Sequence, residues 1–379
     1  MKTTGDQQLV KRINRSVLLR LLRSRPGLSR AQLAQASGLT KSTVSLLVRE
    51  LIEECWLTED DVTAAAGMGR PSTPLQLDGR TRGMIGVEVA VEALRVVGVS
   101  LTGQVFCSTE EPLVGTSPQA VCSQAAQLVA RAHAQLVKQQ VQVFGVGVGL
   151  PGAFDEATGM LRFAPNLGWR NVDFQPLITA ALAQAGLPPL AVHVQNEADT
   201  AALSEYEFLE GDAHASLIFV TCGAGVGAGI VLNDRLFTGV QGMAGEIGHS
   251  ILQIDGPLCS CGRRGCAETF FGARALDQLA EPAQGGRYLG VVLQNLWTTF
   301  NPSVLVVGGP SCERYPSIVA TATQTLQAYA RSAGMAPPPV RTARYGLQAS
   351  AVGAAALVLH HELRPMHTPQ SSPNPSLME

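Results

Sequence analysis

Residues 245–268 read GEIGHSILQIDGPLCSCGRRGCAE, which places His249, Cys259, Cys261 and Cys266 between two carboxylates, Glu246 and Glu268. A Cys-x-Cys pair, a third cysteine five residues later and a histidine ten residues upstream offer one imidazole and three thiolates. That is the soft tetrahedral donor set zinc takes in closed structural sites. Gly256, Gly262 and Gly265 let the segment turn tightly enough for the four to converge. The alternative is a cluster of reduced thiols without metal. Four protein ligands leave no open coordination position, so the expectation is a structural Zn2+ that folds a loop, 249–266, with no core of its own. If His249 binds through one ring nitrogen, the other can still hydrogen-bond, and Glu246 and Glu268 can accept from hydroxyls. Carboxylates beside an imidazole read hydroxyl groups, which suits a sugar.

The elements that carry such groups differ along the chain. Val17, Leu18, Leu21 and Leu22 fall at helical spacing, and Arg25-Pro26-Gly27 ends that helix. Ser29-Arg30-Ala31-Gln32 is a capping box, with Ser29 as N-cap, opening a helix that turns Leu33 and Ala34 inward and stops at Gly38. Thr40 then caps a helix whose apolar face is Val44, Leu47, Val48, Leu51 and Ile52. Two short helices around a tight turn, the second opening with Lys41, Ser42, Thr43 and Ser45, form a helix-turn-helix reader that enters the major groove N-terminus first. The small hydroxyls and Lys41 reach phosphates and base edges there, and Arg49 faces the DNA backbone. Ser29, Arg30 and Thr40, at the helix starts, complete the expected contacts. GMGRPSTPLQL at 67–77 reads as a wing whose Arg70 either reaches DNA or is a solvated loop residue. A basic hairpin used for dimerisation is the alternative for the whole segment.

Charge supports the first reading. Up to Leu57 there are ten basic and four acidic residues, net +6, whereas the remainder holds 18 basic and 26 acidic, net −8. Only the N-terminal part is suited to a polyanion. The 379 residues, 46% hydrophobic and 15% charged, call for two or three domains. No apolar run approaches the roughly 18 to 20 residues needed to cross a bilayer. With no export signal legible, the eight cysteines are expected to be reduced and the protein cytoplasmic, with no membrane partner.

From Gly83 onward, short apolar runs such as VFGVGVGL, SLIFVTC and VLVVGG alternate with Ala- and Gln-rich helical stretches at 118–140 and 175–186, the pattern of an α/β protein. QASAVGAAALVLHHEL makes a last helix, followed from about Arg364 by a Pro/Ser-rich tail expected to be disordered. The expected division is 1–80 for a DNA-binding domain, 81–364 for a ligand domain and 365–379 for the tail.

Between about Leu9 and His360 the chain resembles the ROK family of repressors, open reading frames and kinases. The resemblance rests on Glu246-x-Gly248-His249, Cys259-x-Cys261-Gly262-x-x-Gly265-Cys266-x-Glu268, LPGAFDEATG, APNLGW and QNEADTAALSE. It implies a two-lobed actin/hexokinase-like fold with sugar between the lobes. The fold class is thus α/β, an N-terminal winged helix-turn-helix domain followed by that two-lobed domain with a structural zinc loop. By resemblance the sugar contacts fall on Asn166, Asn196, Glu197, Glu246, His249 and Glu268, and the zinc ligands on His249, Cys259, Cys261 and Cys266.

Departures from the family's kinases set the expected activity. Where a kinase needs an Asp-x-Gly-x-Thr phosphate loop, this chain reads GVEVAVEALRV, with Glu88 and Ala90 and no glycine turn. Backbone amides cannot wrap a phosphate there and Glu88 would repel it. Ala224 in TCGAGVGAG stands where kinases usually carry Thr, and Glu197 stands in place of the catalytic Asp, moving a base by more than about 1 Å. Gly223, Gly225, Gly227 and Gly229 are expected to serve strand-turn packing rather than a nucleotide. No catalytic residue is expected. The function implied is a sugar-responsive repressor, a homodimer or higher oligomer on a palindromic operator, released by a monosaccharide inducer. Xylose is the expected inducer, because the combination is most similar to the family's xylose-responsive repressors, with glucose, N-acetylglucosamine or a phosphorylated sugar as alternatives that would use much the same contacts. An ATP-dependent sugar kinase and a zinc-responsive regulator are the alternatives.

Overall fold

The structure is a computed structural model that describes residues 7–60, 73–208 and 216–365. Arg70, in the expected wing tip, and the tail beyond residue 365 lie outside them.

The chain opens with α1 (Gln7–Ser24), α2 (Arg30–Ser37) and α3 (Lys41–Glu53). The capping box forms as the sequence implied: the Ser29 side chain accepts from the Gln32 amide, and the Gln32 side chain accepts from the Ser29 amide at 2.8 Å. Thr40 caps α3 by accepting from the Thr43 amide. Leu18, Leu22, Leu33, Val44, Val48 and Leu51 are fully buried together. The strands β1 (Leu57–Glu59) and β2 (Leu75–Leu77) then pair antiparallel, the base of the expected wing hairpin. Asp78 takes the amides of Arg80 and Thr81 and closes the turn into the next domain.

The remainder is built twice on one plan. In the first lobe β3 (Arg82–Val89), β4 (Ala93–Ser100) and β5 (Val105–Pro112) form an antiparallel meander. After α4 (Pro118–Lys138), β6 (Gln142–Leu150) lies parallel to β3. A small sheet of β7 (Ala153–Asp155), β8 (Met160–Ala164) and β9 (Trp169–Val172) follows, then α5 (Phe174–Gln184) and β10 (Ala191–Asn196) parallel to β6. The sheet order is β10-β6-β3-β4-β5. Helix α6 (Glu197–Glu207) leads into the second lobe.

There β11 (Ser216–Cys222), β12 (Val226–Leu232) and β13 (Arg235–Leu236) repeat the meander. The zinc-type segment comes next, then α7 (Glu268–Phe271), α8 (Ala273–Gln278) and α9 (Ala283–Phe300). After these come β14 (Val304–Gly308), α10 (Pro310–Arg314), α11 (Ser317–Ser332) and β15 (Val340–Thr342). The order β13-β12-β11-β14-β15 matches that of the first sheet, parallel strands included. The chain ends in α12 (Ala349–Glu362), buried along nearly its whole length.

Helices α6 and α12 pack against each other between the two sheets, and glycine makes the approach possible. A Cβ on Gly147 of β6 would lie 1.7 Å from the Ala354 carbonyl oxygen of α12. The first helical domain shares its core with this pair, since Leu18 and Leu22 belong to the same buried cluster as Tyr206, Phe208, Leu359 and Leu363. Arg364, the last residue of the expected ligand domain, is held by the fold. Arg364 is 9% exposed and its guanidinium reaches Asp234 at 2.6 Å. Nothing in its sequence surroundings marks a partner 130 residues away.

Candidate functional site

One pocket between the lobes is lined by all six residues that the resemblance singles out: Asn166, Asn196, Glu197, Glu246, His249 and Glu268. The first lobe contributes Asn166 from the turn between β8 and β9, and Asn196 from the end of β10. The second contributes Glu246 and His249, which bracket a single 3-10 turn, and Glu268 at the start of α7. Glu197, the first residue of α6, sits on the seam between them.

The environments of these groups separate their roles. Asn196 is largely committed to the protein. Its Oδ1 accepts from the amides of Ala198 and Asp199 and so caps α6, while Nδ2 donates to the Gly152 carbonyl at 2.8 Å. A primary amide then has one N–H left for a ligand. Glu268 accepts from the Val226 amide at 3.3 Å, which aims its carboxylate into the pocket. Burial, then the charges of Glu88 and Glu246, push the Glu197 carboxyl up to about 8, so it holds its proton at neutral pH and can donate as well as accept. Burial also raises Glu246, and the neighbouring Glu268 charge adds to it.

The four metal-type ligands converge. Their donor atoms all lie within 4.8 Å of one another, Cys261 Sγ is 3.7 Å from Cys266 Sγ, and Cys259 Sγ is 3.7 Å from His249 Nδ1. Tetrahedral bonds of about 2.3 Å require sulfur–sulfur edges of about 3.8 Å, so the cluster can hold a metal ion. All eight cysteines are free thiols. Short bridges from Ile251 to Cys266 and from Leu258 to Arg264 fold the loop back on itself. His249 belongs to both the ligand set and the pocket wall, so an ion there would fix part of the pocket surface.

Beyond Glu197, Asn166, Gly225 and Pro151 the cleft opens into a second cavity, bounded by Glu88, Arg95, Thr221, Gly223, Gly309 and Pro310 among others. Glu88, Arg95 and Glu110 face one another directly across β3, β4 and β5. Arg95 is 3.0 Å from Glu88 and 2.7 Å from Glu110. A carboxylate and a guanidinium already bound to carboxylates thus stand in the wall of this second cavity. Of the glycines expected to serve packing, Gly229 presses on α6, with an added Cβ 2.1 Å from the Ala198 carbonyl oxygen, whereas Gly225 lines both cavities.

On the reader, Lys41, Ser42, Ser45 and Arg49 are exposed along α3, while Thr40 and Thr43 are tied to each other at the helix start. Arg30 ion-pairs with Glu59 of β1, across the hairpin base. Ser29 is 7% exposed and its hydroxyl serves the cap of α2. The basic count also overstates what faces outward. Arg23 is turned inward against Glu207 of α6, and Arg20 reaches Asp234 at 2.8 Å. Sequence reasoning missed Arg23, Glu207, Asp234, His360 and Arg364 as a group, because their partners lie from 130 to 214 residues apart.

Comparisons with known proteins agree with this geometry. The ROK family model matches residues 84–286, and the IclR helix-turn-helix domain model matches residues 16–61. The xylose repressor of Bacillus subtilis (strain 168) is 27% identical over 384 positions, covering 95% of this chain and 98% of its own length. The xylose repressor of Caldicellulosiruptor bescii is 32% identical, covering 72% of this chain and 67% of its own. Among solved structures, a ROK family transcriptional regulator described as a homolog of the E. coli MLC protein superposes with a TM-score of 0.73 at 23% identity, over 94% of this chain and 98% of that one.

Proposed function

The chain belongs to the ROK family, and we propose that it acts there as a transcriptional repressor whose hold on DNA is released by a sugar. The observation that carries this is the division of the cleft. One half is an open pocket of carboxyl, amide and imidazole groups. The other half, where a phosphate donor would sit in this reading, is a second cavity whose wall carries the Glu88–Arg95–Glu110 row in place of free donors. A pocket that reads hydroxyls beside a corner that rejects phosphate binds a sugar without transforming it. The IclR-type reader supplies the output.

In this reading Glu246, Glu268 and His249 accept from or donate to sugar hydroxyls, protonated Glu197 donates, and Asn166 closes the pocket from the first lobe. Asn196 holds the start of α6 in place. Such charge-assisted bonds are worth about 1.5 to 3 kcal/mol each. Lys41, Ser42, Thr43, Ser45 and Arg49 form the DNA-facing surface of α3, with Thr40 and Arg30 at its margin. Arg70 lies outside the described residues and stays a proposed wing contact. The names of the two relatives support xylose as the inducer. Zinc is the ion the Cys3His donor set fits, held by His249, Cys259, Cys261 and Cys266; when bound it would cross-link the loop that carries the sugar ligands. A symmetric dimer on a palindromic operator follows from the geometry of helix-turn-helix readers.

The test is calorimetry of the purified protein against pentoses and hexoses, together with fluorescence anisotropy on a duplex selected from a random pool. Xylose should bind and should weaken the duplex complex. Sugar-dependent ADP release from ATP would replace this function with a kinase.

A further inference from the structure

We infer that α6 is the relay between the sugar pocket and the DNA-reading helices, and that the Arg23–Glu207 ion pair is its output contact; this rests on the reading of the chain as a sugar-responsive repressor.

The two ends of α6 lie in the two places that must communicate. Its N-terminal Glu197, with the cap Asn196, forms part of the pocket wall, and its last residue, Glu207, meets the reader domain. The eleven residues span about 16 Å at 1.5 Å per residue. Every residue from Ala198 to Glu207 is buried.

The helix is held from both sides with no space for adjustment. On α12, a Cβ added at Gly353 would lie 1.6 Å from the Thr200 carbonyl oxygen. On β12, one at Gly229 would lie 2.1 Å from the Ala198 carbonyl oxygen. Close-packed elements shift as bodies between discrete arrangements rather than bending, so a displacement of Glu197 by a bound sugar reaches Glu207 along the axis.

At the far end the Glu207 carboxylate is wholly buried and joins three elements. It pairs with Arg23 of α1, with His360 Nδ1 at 2.6 Å and with Arg364 at 2.8 Å. Arg364 continues to Asp234, which also takes Arg20 at 2.8 Å and the Tyr206 hydroxyl at 2.7 Å. Arg23 lies over the Tyr206 ring at 5.3 Å. Burial and the neighbouring Arg364 lower Arg23 to about 10, so it remains cationic at neutral pH. A buried charge that loses its partner is strongly penalised. A shift of α6 therefore either carries α1 with it or breaks the pair. Because Leu18 and Leu22 of α1 share one core with Leu33, Val44 and Leu47, movement of α1 re-aims α2 and α3.

The experiment measures the ratio of duplex affinity without and with D-xylose in wild-type protein, Arg23→Gln and Glu207→Gln. It also measures sugar affinity by calorimetry and hydrogen exchange across α1. In Arg23→Gln, sugar affinity should stay within about twofold while the ratio falls about tenfold or more toward unity, the usual range of an allosteric coupling. Sugar should still protect the pocket amides but should no longer change exchange in α1. Arg23→Gln leaves the pocket residues intact and decides the matter even where Glu207→Gln does not fold. An Arg23→Gln protein that keeps the wild-type ratio and the wild-type change in α1 overturns the relay alone. A wild-type protein whose duplex affinity ignores sugar overturns the repressor reading, and the relay with it.

Discussion

Arg95 bridges Glu88 and Glu110 at 3.0 and 2.7 Å, a row on adjacent strands in the wall of the cavity beyond the pocket. Its guanidinium is spent on carboxylates and Glu88 stands in front of any incoming anion. Mg-ATP titrated into the sugar-loaded protein should therefore give no saturable heat below about 1 mM, an affinity weaker than roughly 4 kcal/mol. Saturable micromolar binding would mean that the row opens for nucleotide.

Glu268 is fixed by the Val226 amide and faces the pocket from the second lobe. Glu268→Gln keeps the shape and removes the charge, so sugar should bind about tenfold or more weakly, the fold-change for roughly 1.5 kcal/mol lost from a charge-assisted bond. Affinity for the duplex in the absence of sugar should be unchanged. Loss of duplex binding in this variant would place Glu268 in the fold rather than at the ligand.

Burial and the charges of Glu88 and Glu246 raise Glu197 to about 8 in the folded protein, against an ordinary carboxyl value of 4.5. Between those two values the folded chain holds a proton that the unfolded chain has released, so stability falls as pH rises from about 4.5 through 8 and is unaffected by this group below that window. Thermal melts without sugar should lose several degrees across the window, and Glu197→Gln, which cannot ionise, should flatten the curve by on the order of a few °C. An unchanged slope in Glu197→Gln would assign the raised carboxyl elsewhere.

The Cys3His ligands sit on one loop, and His249 is both a metal-type ligand and part of the pocket wall. Removing metal with a chelator, or replacing Cys259 with Ser, should lower thermal stability and sugar affinity together. Metal analysis of the purified protein should return about one zinc per chain. A chelated protein that binds sugar normally would separate the ion from the pocket.

On α3, Lys41 and Arg49 make no ion pair among the described residues and face outward. Lys41→Ala and Arg49→Ala should each weaken duplex binding and reduce the slope of log affinity against log salt by about one, with sugar binding unchanged. Ser29→Ala should instead cost on the order of 1 kcal/mol of stability and leave the salt slope alone, because its hydroxyl caps α2. A reduced salt slope in Ser29→Ala would return that residue to the DNA surface.

What could be read from sequence is what short-range chemistry dictates. The capping box at Ser29 and Gln32, the cap at Thr40, the apolar face of α3 and the metal-type spacing from His249 to Cys266 all concern groups that meet within a few turns of chain, and each forms as read. The strand and helix alternation was legible for the same reason, since periodicity of apolar residues is local. Tertiary structure decided which long side chains face water and which face a partner. Arg23 looks like any other cation of a basic segment, Arg364 like the start of a solvated tail, and Asn196 like a free ligand group. The fold turns the first two onto Glu207 and Asp234 and ties the side-chain nitrogen of the third to the Gly152 carbonyl, 44 residues away. A flexible or amide-bearing side chain takes its role from whichever charge or carbonyl the packed backbone brings within about 3 Å, and that distance is set by packing between segments far apart in the chain.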